Sequence, residues 1–177
     1  MQLFWRKGYE STSLNDLLRE TGLSKSSLYQ TFGSKHLLFE QSIDRYRQCL
    51  VKDLKAMLNN ARSGRQFIED MFYSVADEVK GKNARRGCLV MNTASEFAQS
   101  DLVIAGLVKQ GTRGFYDVFE TAVRRTQSEG EIPANEDTRA LAIYLVTAMS
   151  GLKTQVKAGA SAADIISTAK IILSTLF

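Results

Sequence analysis

The stretch SLNDLLRETGLSKSSLYQTFGSK, residues 13–35, decides the fold of this 177-residue chain. Ser13 followed three residues later by an aspartate is a capping-box pattern, which starts a helix that Gly22 ends. Ser24 caps a second short helix, and Gly33 stands just past its end. Two short helices joined by a tight turn are typical of a helix-turn-helix, so these residues predict that motif.

The second short helix has one apolar face and one polar face. Leu28 and Phe32 are four residues apart, so they share the face that packs against the leucines of the preceding helix. Because small side chains permit close approach and glutamine can bond adenine with two hydrogen bonds, the opposite arc can enter the major groove of DNA. The alternative, from spacing alone, is an ordinary helical hairpin with a solvated polar face. The polar arc and first turn hold Lys25, Ser26, Ser27, Tyr29 and Gln30.

Composition predicts an all-α protein without a catalytic centre. The chain has one proline, Pro133, so long helices are the default expectation. Two cysteines are too few for a disulfide scaffold, and one histidine leaves little room for a metal site or histidine-dependent catalysis. That histidine, His36, is predicted to be a solvated helix-start residue rather than a ligand. With no apolar run long enough for a membrane span and no signal peptide, we predict a cytoplasmic, non-enzymatic protein with no cofactor, metal or membrane partner.

Charge adds modest support for a nucleic-acid partner. The chain has 23 Lys and Arg against 19 Asp and Glu, a net charge of +4. Residues 1–52 hold eight of the basic and five of the acidic residues, so three of the four excess charges lie in less than a third of the chain. A basic excess around a helix-turn-helix favours electrostatic attraction to phosphate.

Apolar residues recur at spacings of three, four and seven along the rest of the chain, which predicts helices rather than strands. A basic loop at 80–87 and a break at 130–133 interrupt the pattern. Gly106, Gly111 and Gly114 are expected to loosen one long helix. A short first helix spans 1–7, and the helices predicted after the motif span 34–58, 66–80, 88–98, 102–129, 135–157 and 162–177.

One segment resembles the DNA-binding region of TetR-family transcriptional regulators. In the family pattern a glycine and an aromatic residue precede a Ser/Thr pair, here Gly8 and Tyr9 before Thr12 and Ser13. The run GLSKSSLYQTFGSK at 22–35 then meets nearly every defined position of the family pattern. Because several positions match at fixed spacing, the resemblance strongly favours DNA binding over a solvated hairpin.

The resemblance implies a helix-turn-helix DNA-binding domain at 1–50 and a helical effector-binding and dimerisation domain at 51–177. Family members usually carry a longer first helix, so the first helix here is expected to be truncated. Either residues precede this numbering or the helix is trimmed. The implied contacts are Thr12, Ser13, Tyr29 and Lys35 with phosphates, and Lys25, Ser26, Ser27 and Gln30 with the groove.

The last two predicted helices carry apolar stripes that predict a homodimer. A motif of about 50 residues reads only a few base pairs, so useful affinity requires two copies on a two-fold operator. The alternative is that both stripes are used within the core of one chain, although the resemblance also implies a four-helix contact between protomers. The predicted contact residues are Tyr144, Ala148, Leu152, Ile165, Ile166, Ala169, Ile172 and Leu173.

The middle helices hold many of the aromatic residues, which predicts an apolar pocket for a small apolar or amphipathic effector. The same pattern occurs in any helical core, so a core role is the alternative for each residue. Asn92 and Glu96 are polar and interrupt an apolar helix, with a surface or capping role as their alternative. The candidate effector residues are Phe72, Cys88, Met91, Asn92, Phe115, Phe119 and Tyr144.

Together these features predict a dimeric repressor that a small molecule releases from a palindromic double-stranded DNA operator. Two alternatives stay open. One is a helical small-molecule-binding protein without DNA-binding activity. The other is a regulator in which Cys88 senses oxidants or electrophiles, because Arg85, Arg86 and a helix start beside it would favour a thiolate. A buried structural cysteine is the competing interpretation of Cys88.

Overall fold

The computed structural model describes residues 1–80, 85–97 and 100–177, and these residues form nine helices and no strand. The all-α prediction is therefore confirmed. Part of the predicted loop at 80–87 and the end of the predicted helix at 88–98 lie outside the described residues. No helix in the described part is both long and apolar enough to cross a membrane. The helices are α1 (Gln2–Lys7), α2 (Leu14–Thr21), α3 (Lys25–Phe32), α4 (Lys35–Asn60), α5 (Gly64–Asp77), α6 (Leu89–Phe97), α7 (Leu102–Ser128), α8 (Thr138–Ala158) and α9 (Ala162–Leu173).

Side-chain caps set where several of these helices begin. The predicted capping box at Ser13 is present, and a second capping box at Ser161 begins α9, each with the aspartate three residues on. Helix α8 begins after Asp137, whose carboxylate accepts hydrogen bonds from the amides of Arg139 and Ala140. The predicted start at residue 135 was therefore too early, and the predicted end of the last helix at residue 177 was too late, because α9 ends at Leu173.

Helix α7 runs unbroken from Leu102 to Ser128, so the prediction that its glycines loosen it was wrong. Two of these glycines instead allow other helices to come close. A β-carbon at Gly111 would lie 3.3 Å from both Val90 methyl carbons, and one at Gly114 would lie 2.9 Å from a Val51 methyl carbon. Close packing by neighbours compensates for the low helix propensity of glycine.

The chain divides into two compact units. The first contains Met1–Cys49 together with Leu89–Gly111, and the second contains Leu50–Cys88 together with Thr112–Phe177. Helix α6 and the beginning of α7 therefore belong with the N-terminal helices. The sequence predicts a DNA-binding domain at 1–50 and an effector-binding and dimerisation domain at 51–177. That division concerns function, and it stays a prediction.

The first unit has its own apolar core. Helices α2 and α3 contribute Leu17 and Leu28, which are 3% and 0% exposed, and Phe32 packs against the same core. This is the packing that the spacing of the short helices predicts. The core consists of Leu3, Phe4, Leu17, Leu28, Phe39, Ile43, Phe97 and Ile104.

The second unit is built around α5, which packs against α8 and α9. Its aromatic centre includes Phe67 and Phe119, whose ring centroids are 5.6 Å apart. Arg125 of α7 binds the end of α4 and the residues just after it. Its guanidinium donates hydrogen bonds to the carbonyl oxygens of Leu58 at 3.1 Å and Arg62 at 2.8 Å. The bond to Leu58 satisfies one of the last carbonyls of α4, which the helix itself leaves without a partner.

Candidate DNA-binding surface

Helix α3 carries the surface that the sequence predicts for the DNA groove. Its anchor is Leu28, which is buried in the core of the first unit. The helix sequence KSSLYQTF contains no carboxylate that would repel phosphate. Ser24 Oγ accepts a hydrogen bond from the Ser27 amide at 3.1 Å and lies 2.9 Å from Ser27 Oγ, so Ser27 takes part in capping. Of the predicted groove residues, Lys25, Ser26, Tyr29 and Gln30 are exposed and Ser27 is half-buried.

Thr12 lies inside the molecule, although the family resemblance implies a phosphate contact for it. The residue is 0% exposed, and its hydroxyl donates a hydrogen bond to the Gly8 carbonyl at 2.6 Å. Thr12 closes the turn before α2 and presents no surface to DNA. Ser13 is exposed, and its hydroxyl accepts a hydrogen bond from the Asp16 amide at 3.0 Å.

Lys35 is held beside an aromatic ring at the start of α4. Its ammonium nitrogen lies 4.1 Å from the centroid of the Tyr9 ring, a cation–π distance. The Tyr9 ring in turn packs against Phe39 and Phe97, at centroid distances of 4.9 Å and 5.2 Å. Burial and the nearby carboxylates of Glu10, Asp101 and Glu96 raise the pKa of Tyr9, so its hydroxyl stays neutral and does not add a negative charge.

The end of α6 holds the turn between α1 and α2. The Glu96 carboxylate accepts hydrogen bonds from the backbone amides of Glu10 at 3.2 Å and Tyr9 at 3.5 Å. Glu96 is exposed, which agrees with the surface role that the sequence analysis gave as its alternative. Because Tyr9 also contacts Lys35, Glu96 indirectly positions a residue of the candidate DNA surface.

His36 makes one local contact on α4 and one long-range contact. Its Nε2 atom lies 3.1 Å from a Glu40 carboxylate oxygen and 3.0 Å from a carboxylate oxygen of Asp101. The other oxygen of Asp101 accepts hydrogen bonds from the amides of Val103 and Ile104 and thereby caps α7. His36 therefore connects α4 to the start of α7. No local pattern predicts this, because the partner on α7 is remote in sequence.

Asp16 is the most strongly perturbed carboxylate beside the candidate surface. Its side chain lies 2.9 Å from the Lys7 ammonium and 2.7 Å from the Arg19 guanidinium, and it accepts a hydrogen bond from the Ser13 amide at 3.2 Å. The hydrogen bond from Lys7, followed by those from Ser13, lowers the pKa of Asp16 to about 2. The carboxylate therefore stays ionised and partners cations from α1 and α2.

Asp16→Asn should lower the free energy of unfolding at neutral pH. An unfolded aspartate has a pKa of about 3.9, and the folded pKa is lower. The stabilisation is therefore fully present above about pH 4 and is lost as the pH falls towards 2. Urea denaturation of wild type and variant at several pH values measures this. The difference between them should shrink with acidification, and a constant difference would contradict the assignment.

The predicted effector residues do not assemble around one described cavity. Met91 and Asn92 belong to the first unit, whereas the others belong to the second. Tyr144 is 39% exposed on α8. The others in the second unit, Phe72, Cys88, Phe115 and Phe119, are buried as core residues. One cavity of about 440 Å³ lies beside Glu40 and Val103, and another of about 460 Å³ lies beside Tyr73 and Ile166. None of the seven predicted effector residues lines either of these two cavities.

Cys88 is buried just before α6, with 7% of its surface exposed. A reactive thiol needs access as well as a favourable electrostatic environment. The burial supports the structural interpretation of Cys88 over the sensor interpretation. Among the described residues, no group of three or more His, Cys, Asp or Glu side chains could hold a metal ion.

Half of the predicted dimer contacts are used inside the protomer. Leu152, Ile165, Ala169 and Leu173 are between 0% and 5% exposed, so these four residues lie in the core of one chain. Ala148 and Ile172 are half-buried. The large apolar residues exposed on α8 and α9 are Ile143, Tyr144, Ile166 and Ile171. Two of them, Ile143 and Ile171, were missed because each lies one residue beside a predicted stripe.

Two family models match the chain. The model described as "Bacterial regulatory proteins, tetR family" matches residues 1–41, and the one described as "Tetracyclin repressor-like, C-terminal domain" matches residues 64–170. The chain belongs to the TetR family of bacterial regulatory proteins. The TetR resemblance of the helix-turn-helix is thereby confirmed, and the second match extends it over the helical remainder. This TetR-family chain is a DNA-binding transcriptional regulator of the helix-turn-helix type.

Individual TetR-family relatives agree with this assignment. The chain is 30% identical to the HTH-type transcriptional repressor ComR of Escherichia coli K12, over 91% of this chain and 77% of ComR. It shares its fold with a regulatory protein TetR from Rhodobacter sphaeroides, with a TM-score of 0.88 and 20% identity over 99% of this chain and 94% of that one. A cysteine mutant of the regulator CifR, solved with 26-base-pair operator DNA, has a TM-score of 0.84 and 24% identity over 97% of this chain and 90% of that one.

Proposed function

We propose that this TetR-family regulator acts in the cytoplasm as a homodimeric repressor, with α3 of each protomer in the major groove of a palindromic operator. The observation that carries the proposal is the exposed, carboxylate-free face of α3 on a buried leucine anchor. The name of ComR, a repressor, supports repression. The operator complex of CifR supports binding of this fold to duplex DNA.

The residues of the candidate surface other than Thr12 and Ser27 have these chemical roles in the proposal. Ser26 and Gln30 contact base edges, since glutamine can bond adenine with two hydrogen bonds. Lys25, Tyr29 and Lys35 bind phosphates, and Ser13 lies at the phosphate backbone where α2 begins. Glu96 holds the turn between α1 and α2, and this turn keeps Tyr9 beside Lys35. The Lys35 ammonium group is therefore restricted to one side of the Tyr9 ring.

Lys25→Ala should weaken operator binding about tenfold and reduce its salt dependence, because one phosphate contact per protomer is lost. Selection from random duplexes would supply the operator, and fluorescence anisotropy at two salt concentrations would measure affinity. Lys157→Ala is the matched control, since Lys157 is an exposed lysine at the end of α8. Equal affinities of wild type and both variants would refute the placement of Lys25, and no binding by wild type would refute the proposed function.

The proposed dimer contact consists of the exposed apolar side chains on α8 and α9. The hydroxyl of Thr175, two residues past α9, donates a hydrogen bond to the Tyr144 hydroxyl of α8 at 3.2 Å. Large exposed apolar residues grouped on two neighbouring helices are typical of a protein interface. A stable homodimer would bury on the order of 2,000 Å² there. The exposed set is Ile143, Tyr144, Ile166 and Ile171.

Ile171→Arg should convert the dimer to a monomer, because Ile171 is 67% exposed in the single chain and an arginine at the contact would be buried without a partner. We expect the dimer dissociation constant to rise by at least about 100-fold. Light scattering after size exclusion measures the mass. Val103→Arg makes a similar change at a 58% exposed residue of the other unit and should leave the dimer intact. A dimeric Ile171→Arg variant would exclude this face.

We also propose that a small apolar molecule regulates DNA binding through the first unit. Glu96 on α6 and Asp101 before α7 both contact the N-terminal helices, so movement of α6 or α7 is transmitted to the turn before α2 and to the start of α4. A ligand can act this way only if it binds one arrangement more tightly than the other. Operator titrations with and without ligand would measure that difference, and no change at saturation would refute this part.

A further inference from the structure

His36 is the only histidine of the chain, and its imidazole lies between two carboxylates. Its Nε2 atom is 3.1 Å from Glu40 Oε1 and 3.0 Å from Asp101 Oδ2. Histidine is the side chain whose charge ordinarily changes between about pH 5 and pH 8. The His36 side chain is 35% exposed, so it can exchange a proton with water without any movement of the surrounding helices.

Protonation changes what an imidazole can do between two carboxylates. A neutral imidazole has one N–H group, which donates fully to only one of the two, and its other nitrogen accepts. If Nε2 is the accepting nitrogen, its lone pair faces both anions. A protonated imidazole always carries a hydrogen on Nε2 and a positive charge, so it attracts both carboxylates. The contact between α4 and Asp101 is therefore strongest when His36 is protonated.

None of the other groups around His36 in the described part of the chain supplies this charge. The Tyr9 ring packs edge-on against the imidazole at a centroid distance of 5.9 Å, and its hydroxyl stays neutral. The Lys35 ammonium lies over that ring rather than beside the carboxylates. The charged and titratable groups on the neighbouring elements are Lys35 and Glu40 on α4, Tyr9 and Glu10 in the α1–α2 turn, Glu96 on α6 and Asp101 before α7.

The contact adjoins a residue that is proposed to bind phosphate. Lys35 and His36 both begin α4, and both pack against Tyr9. A proton on His36 adds one positive charge per protomer there, which reduces the repulsion between these carboxylates and DNA phosphates. Protonation also fixes the first turn of α4 to Asp101, whose other oxygen caps α7. A fixed Lys35 loses less conformational freedom when it binds phosphate, so both effects have the same sign.

We propose that His36 is a proton-linked contact through which acidification strengthens operator binding. The protonated imidazole joins Glu40 to Asp101 and holds the start of α4 in the arrangement that presents Lys35 to phosphate. The proposal rests on the proposed operator binding and adds control by protons to it. Because linkage between two binding events is reciprocal, operator binding in turn favours the protonated form of His36.

Operator affinity as a function of pH tests the proposal. Fluorescence anisotropy of the full chain with its selected operator, at constant ionic strength, should show binding about fivefold or more tighter at about pH 6 than at about pH 8. His36→Gln keeps a hydrogen-bonding side chain that takes up no proton, so most of this change should disappear. All other titrating groups are common to the two proteins. Equal pH dependence in both proteins, or none in wild type, would overturn the proposal.

Asp101→Asn tests the partner of the histidine. Asparagine keeps an oxygen that can cap α7 but can place an amide N–H opposite the imidazole, which favours the neutral ring. Acidification should therefore strengthen operator binding less than in wild type, or weaken it. Asp77→Asn makes the same change at an exposed aspartate of the second unit and should respond to pH as wild type does. A full wild-type response in Asp101→Asn would overturn the role of this carboxylate.

NMR of the single histidine supplies a measurement that a purely structural role would not change. The imidazole C–H resonances can come only from His36, so they follow its protonation in the free chain and in the operator complex. His36 should take up its proton at a higher pH in the complex, and an equal or lower pH would overturn the proposal. Normal operator binding without a pH response overturns this proposal alone, whereas failure of wild type to bind any duplex overturns the proposed function with it.

Discussion

Replacing Gly64 by alanine is expected to destabilise the protein by about 3 kcal/mol. Gly64 is the first residue of α5, and a β-carbon there would lie 2.4 Å from the Ala122 carbonyl oxygen and 2.8 Å from the Thr126 amide nitrogen. Both atoms are backbone of α7, which cannot rotate away as a side chain can. The Gly64 amide also donates to the Glu129 carboxylate at 2.9 Å, so moving α5 outwards would break that bond.

Thermal unfolding would show this cost as a fall of about 6–12 °C in the midpoint. Gly106→Ala is the matched control, since a β-carbon at that helical position meets no atom within 4 Å among those described. Alanine there should raise stability by about 0.5–1 kcal/mol, because glycine weakens a helix interior. A Gly64→Ala midpoint within a degree of wild type would contradict the close contact between α5 and α7.

Leu28→Ala is expected to cost about 3 kcal/mol and to abolish operator binding. Leu28 is 0% exposed and is the buried anchor of an eight-residue helix that is too short to be stable alone. Truncation leaves a cavity under α3 and removes the contact that aims its polar face outwards. The loss falls on the DNA-binding surface although Leu28 itself touches no DNA in the proposed complex.

Amide hydrogen exchange would locate the effect of Leu28→Ala, with faster exchange expected in α2 and α3 than in α8. Operator anisotropy on the same samples would measure the loss of binding. Leu102→Ala makes the same change at a residue that is 92% exposed, and it should alter stability by less than about 0.5 kcal/mol. Wild-type operator affinity in Leu28→Ala would refute the role of Leu28 as the anchor of the reading helix.

Local patterns predicted the helix-turn-helix well, because caps and turns depend on residues within four positions of one another. The pairing of Ser13 with Asp16 and the left-handed Gly22 are examples. The exposed face of α3 followed from the position of Leu28. The phosphate contact of Thr12 was instead implied by the family resemblance, and the bond from its hydroxyl to the Gly8 carbonyl holds this residue inside the molecule.

Contacts between distant segments lay beyond local patterns. The Glu96 carboxylate accepts hydrogen bonds from the α1–α2 turn, and His36 pairs with Asp101. Each contact joins residues that are far apart in the chain. The apolar stripe of α9 is wide enough to face two ways. Only the packing of α5 against α9 shows that Ile165 is used inside the protomer and Ile171 is left outside.

The sequence by itself determined the all-α class, the TetR-like reading helix and the residues it presents, because each depends on helical periodicity and local capping. Tertiary structure decided which apolar faces stay exposed, which polar groups connect α6 and α7 to the N-terminal helices, and why Gly111 and Gly114 occur within a continuous helix. Those outcomes depend on distances between helices that are remote in sequence, and no periodic pattern contains that information.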